Sequence, residues 1–145
     1  MDDERMNLIK IITIIIFAFI GWAACGATMG IGMALTTLEF TLIIHAIGAP
    51  IYFIILSMLY FRKFNYTNPL TTATIFIAFV IFVDFILVAL IINKSFDMFR
   101  SFIGTWLPFI LIFVSTWLTG KIVVGSPSPA LRSDNISEVQ SKSAI

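Results

Sequence analysis

The sequence predicts an all-α polytopic membrane protein, an antiparallel bundle of four transmembrane helices. Three observations predict it. Hydrophobic residues make up 59% of the 145-residue chain and charged residues only 12%, against roughly 25% charged in an ordinary soluble domain. Mean hydropathy is +1.03. Charge is absent over residues 11–38, 40–61, 64–83 and 101–120, and about 20 apolar residues suffice to cross a roughly 30 Å hydrocarbon core. A net charge of only +1 with this composition excludes a disordered chain, a soluble enzyme domain and a basic nucleic-acid binder, so no nucleic-acid partner is expected.

The predicted spans are about 11–35, 40–61, 70–92 and 102–122, in a transmembrane domain over 1–124. Helices are favoured over barrel strands because runs such as Ile11-Ile12-Thr13-Ile14-Ile15-Ile16-Phe17 do not alternate apolar with polar residues. The first span follows Lys10. The second runs from Glu39 to Arg62-Lys63. The third opens on Asn68-Pro69, an N-cap followed by proline at the first helical position, and carries one charge, Asp84. The fourth opens on Ser101, with Ser95 as a rival cap. Tyr60, Phe61, Tyr66, Phe96, Phe99 and Trp106 flank span ends, as interfacial aromatics do. The tail, 125–145, begins with Ser-Pro repeats and is expected to be a disordered cytoplasmic segment.

Four spans put both termini on one side. Arg5, Lys10, Arg62, Lys63, Lys121, Arg132 and Lys142 lie on that side, and Lys94 and Arg100 on the other. The positive-inside rule then gives cytoplasmic termini in the cell membrane, with the lipid bilayer as the first partner. The sequons at Asn65 and Asn135 fall inside and stay unmodified. Ala23-Ala24-Cys25 is a poor lipoprotein cleavage site, because Trp22 precedes it, the N-region is acidic and the apolar run continues past it. A single cysteine forms no internal disulfide. No internal repeat, phosphate loop, nucleophile elbow or metal-ligand spacing is present, so neither a catalytic constellation nor a metal site is expected.

Depth arithmetic singles out one layer. His45 lies 16 residues before Phe61, about 24 Å along its helix, and Asp84 lies 14 residues after Leu70, about 21 Å along its own. Trp22 and Cys25 reach a similar height, and Trp106 lies near the outer end of the fourth span. Asp84 has no polar neighbour on its own stripe. An aspartate at mid-membrane costs roughly 2.5–3.5 kcal/mol, so it is either protonated or paired. A hydrogen bond to His45, direct or through one water, is the expected pairing, with spans two and three as a hairpin. Glu39, Thr41, Tyr52, Trp22, Cys25 and Trp106 form the possible surround, with Glu39 completing a path from bulk water. The plain alternative has equal standing: an Asp–His contact that only pins two helices, with Trp22 and Trp106 as packing residues and Cys25 as a small hydrophobe. Gly26 and Gly30 form a small-xxx-small site for close helix approach, within the chain or between chains. Pro50 and Pro108 each free a carbonyl one turn back and are expected to kink their helices.

The stretch Thr41-Leu42-Ile43-Ile44-His45-Ala46-Ile47-Gly48-Ala49-Pro50, with Phe82-Val83-Asp84-Phe85, resembles an uncharacterised group of small four-span prokaryotic integral membrane proteins over roughly residues 20–120. The resemblance implies the four-span fold and no activity, cofactor or site. The chain does not match the small multidrug-resistance pattern, which has its carboxylate in the first span. The sequence thus leads to an interaction or assembly protein, acting as a homo-oligomer or with another membrane protein. A small proton- or ion-linked permease working as an oligomer is the alternative. A b-type haem module with His45 as axial ligand is a minority reading, an intramembrane enzyme the weakest, and no cofactor is otherwise expected.

Overall fold

The computed structural model describes residues 2–92, 94–125 and 139–143, apart from the side chain of residue 2. Every regular element among them is helical. Helix α1 spans Asp2–Leu35 and α2 spans Leu38–Lys63. Helix α3 spans Pro69–Val83 and continues with wide, π-type winding over Asp84–Ile92. A short 3₁₀ turn, Asp97–Arg100, leads to a second π-wound stretch, Phe102–Trp106, and then to α4, Leu107–Gly125. Four helical stretches, Asp3–Leu35, Leu38–Lys63, Pro69–Ile92 and Phe102–Gly125, are long and apolar enough to cross a membrane. The predicted tail lies largely outside the described residues; its stretch 139–143 is helical and exposed.

Local chemistry sets the boundaries. The Asn68 side chain accepts from the Thr71 amide at 2.8 Å, with Pro69 beside it, the expected start of α3. Of the two rival serines, Ser101 caps the fourth span, its hydroxyl accepting from the Gly104 amide at 3.0 Å, while the Ser95 hydroxyl accepts from the Asp97 amide at 3.1 Å in the link before the 3₁₀ turn. Pro50 sits inside α2 without interrupting it. Pro108 follows directly on the π-wound stretch, where the Leu107 amide bonds back to Phe102, so wider winding absorbs the hydrogen bond that proline cannot make.

Helix α2 packs on α1 and α4, and α3 packs on α4 and more lightly on α1. Helices α2 and α3 therefore sit across the bundle from each other, not side by side as the expected hairpin requires. On the α1–α2 seam Phe17 meets Tyr60, Thr28 meets Tyr52 and Gly32 faces Thr41, so residue numbers rise on one helix as they fall on the other. On the α2–α4 seam Leu42 faces Gly104 and Phe61 faces Gly120, so they rise together. Not every neighbouring pair is antiparallel, because the diagonal placement of α2 and α3 brings α2 and α4 together.

The core gathers at the end where α2 closes and α3 begins, hereafter the near end. Tyr60 is fully buried among Phe17, Phe61, Phe64 and Phe76. It and Phe61 are core residues, not the interfacial pair expected, because the aromatic rings of three helices converge there. The Thr72 hydroxyl donates to the Asn68 carbonyl at 3.1 Å, which leaves Thr67 to donate to Thr72 at 2.7 Å and Tyr60 to Thr67 at 3.1 Å. That chain satisfies each hydroxyl hydrogen and fastens α2 to the start of α3.

Candidate functional site

Asp84 has a polar partner, but not the expected one. The Trp22 indole Nε1–H donates to Asp84 Oδ1 at 2.7 Å, joining α1 to the third span where its winding widens. Both residues are half-buried. The direct Asp84–His45 hydrogen bond expected from depth is not made, and His45 Nδ1 is buried without a hydrogen-bond partner. The reason is register as well as placement. Gly32 faces Thr41 and Thr28 meets Tyr52, so His45 lies level with α1 between 28 and 32. That is at least about 9 Å beyond Trp22 at 1.5 Å per residue, on a helix across the bundle from α3. Trp22 reaches Asp84 because α1, not α2, flanks α3, and because an indole extends far from its backbone.

The other expected members separate. Cys25, one turn above Trp22, is buried in the core at 7% exposure. The Thr28 hydroxyl donates to the Ala24 carbonyl at 2.9 Å, so the Tyr52 hydroxyl must donate to Thr28, also at 2.9 Å; this clamps α1 to α2 between the Trp22 and His45 levels. Thr41 is fully buried, bonded to the Thr37 carbonyl and to Thr36, and packed on Gly32. It belongs to the α1–α2 turn. Glu39 is exposed in the first turn of α2, and no hydrogen bond or ion pair joins it directly to His45 or Asp84 among the described residues. Trp106 bonds the Phe99 carbonyl at 2.9 Å and stands 47% exposed at the far rim, in keeping with an interfacial aromatic. Among the described residues no group of three His, Cys, Asp or Glu side chains is placed to hold a metal.

The glycines divide cleanly. A Cβ on Gly21 would meet the Phe53 ring at 2.6 Å, and one on Gly32 would meet Thr41 at 2.6 Å. Those two make the close α1–α2 seam. A Cβ on Gly26 or Gly30 would meet nothing within 4 Å. At 3.6 residues per turn, Ile14, Ala18, Gly21, Cys25 and Gly32 line the packed face, while Gly26, Gly30 and exposed Ala27 turn away from it. The small-xxx-small site therefore makes no close contact among the described residues. The π-wound segment Asp84–Ile92 is held at its start by Trp22 and by Phe85 against Phe96 and Phe99, while its last residues, Leu90, Ile91 and Ile92, are 45–63% exposed. Sequence reasoning places Trp22 at the right depth, in the possible surround of the pair or among packing residues, but not as Asp84's own partner, because a lone tryptophan near a span centre carries no pairing signal. Its indole N–H, the sole strong donor near Asp84's depth besides His45, is the signal that could have found it.

No family model, curated protein or solved structure matches the chain.

Proposed function

We propose that the chain is a multi-pass protein of the cell membrane whose role is assembly, with cytoplasmic termini and association with a second copy through the far half of α1. The reading rests on the open Gly26–Gly30 line. Inside lipid, apolar burial does not drive helices together; close backbone packing does, and glycine permits it. In this chain, glycines that pack internally are each met by a side chain, and these two are met by none. The exposed Leu90, Ile91 and Ile92 at the outer end of the third span add apolar surface at the same end. The polar pair then acts within the chain, holding α1 to α3 just below the surface offered to the partner.

The test is single-molecule photobleaching in dilute liposomes. The expected result is a dimer, converted to monomer by Gly26→Leu with Gly30→Leu. A wild-type chain that stays monomeric on concentration, or a dimer indifferent to both leucines, rejects the reading. A proton- or ion-linked permease acting as an oligomer is the second reading. It is favoured by the buried, unbonded His45 Nδ1, a costly arrangement unless another group visits it. Unchanged proton flux in Asp84→Asn proteoliposomes removes it.

A further inference from the structure

We propose that the near end of α1 and the turn between α2 and α3 form a binding site for the phosphate headgroup of an anionic phospholipid, in the leaflet nearest the N-terminus. A half-open cavity of about 380 Å³ lies there, lined by Arg5, Met6, Ile9, Lys10 and Tyr66. Helical spacing puts the four α1 residues on one face. The turn brings the fifth. Asn65 adopts a left-handed backbone, φ 46°, and the Phe64 ring sits 5.7 Å from Phe17 on α1 and 5.6 Å from Tyr66. The run of ring contacts Phe17–Phe64–Tyr66 thus fixes the phenol beside α1.

The lining is amphipathic in the manner a lipid requires. No salt bridge or side-chain hydrogen bond engages the Arg5 guanidinium, the Lys10 ammonium or the Tyr66 hydroxyl among the described residues. Two other cations of this end are engaged: Lys63 lies 5.6 Å from the Phe64 ring centroid and Lys121 4.6 Å from that of Trp117. Asp3 and Glu4 do not line the cavity. A guanidinium grips two phosphate oxygens as a planar fork, and an ammonium and a phenol each supply a further donor. Met6 and Ile9, 51% and 58% exposed, offer an apolar wall to the first acyl methylenes, which a free phosphate would leave in water. Depth agrees. Lys10 is the last charge before the apolar run, so Arg5 stands about 7.5 Å further out, at the headgroup layer. Basic pockets at helix ends on this side of a membrane bind such headgroups. The inference is independent of how the chain associates.

The test uses the full chain in neutral micelles, titrated with phosphatidylglycerol or phosphatidylcholine and read by native mass spectrometry. Wild type is expected to retain the anionic lipid selectively. Arg5→Gln with Lys10→Gln should weaken retention at least about tenfold, since the loss of a single charge-assisted hydrogen bond is worth about that much. Arg62→Gln with Lys63→Gln, which removes equal charge beside the cavity, should leave it within about twofold. Arg5→Lys keeps the charge but loses the fork, and should give a smaller, definite loss. Equal weakening by both double variants, equal retention of phosphatidylcholine, or displacement of the lipid by equimolar inorganic phosphate would overturn the proposal.

Discussion

The Trp22–Asp84 contact makes a quantitative prediction that a His45–Asp84 pair does not. Trp22→Phe keeps most of the aromatic volume and removes the N–H that meets Asp84 Oδ1 at 2.7 Å. Hydrogen bonds to charged groups contribute about 1.5–3 kcal/mol in soluble proteins, whereas interhelical polar contacts in membranes average about 0.6 and reach about 1.7. A half-buried, well-aligned bond belongs near the upper part of the second range, so the coupling should be about 1–1.5 kcal/mol. The assay is a double-mutant cycle of Trp22→Phe with Asp84→Leu, followed by unfolding in mixed micelles at increasing denaturing detergent. Removing the carboxylate also removes its desolvation cost, so Asp84→Leu alone should be near neutral or stabilising. Trp22→Phe alone should destabilise, and in the Asp84→Leu background it should cost only lost packing. The parallel cycle of His45→Ala with Asp84→Leu should give coupling below about 0.5 kcal/mol. Coupling under about 0.3 kcal/mol for Trp22, or larger for His45 than for Trp22, would refute the reasoning.

Further predictions concern packing and capping, each read by the same unfolding assay. Gly120→Ala should cost about 1–3 kcal/mol, because its Cβ would stand 2.6 Å from the Phe61 ring and 2.7 Å from Pro69 Cβ. Gly26→Ala, with open space around it, should be neutral or stabilise monomeric protein by up to about 1 kcal/mol through helix propensity; equal effects at the two glycines would contradict the packing described. Thr116 is fully buried and its hydroxyl has no hydrogen-bond partner, so Thr116→Val should raise stability by about 1 kcal/mol. Asn68→Ala removes the cap bond to Thr71 and should cost about 1 kcal/mol, with Asn68→Asp restoring most of it.

Much of the architecture was legible in the sequence because it follows from one-dimensional rules. Charge-free stretches of sufficient length give four apolar helices, since a backbone in lipid must satisfy itself. Asn68-Pro69 and Ser101 mark helix starts through bonds that reach only three residues along the chain. The cost of a carboxylate within so apolar a span told that Asp84 needs a partner. Which partner it takes was not legible, because adjacency in sequence and equality of depth do not decide adjacency in space. Only the tertiary structure set α2 across from α3, displaced His45 beyond the Trp22 level, and turned Gly21 and Gly32 inward but Gly26 and Gly30 outward. Those outcomes depend on how large side chains such as Phe53, Tyr60 and Phe76 fill the centre of the bundle, a many-body packing condition that no spacing along a single helix encodes.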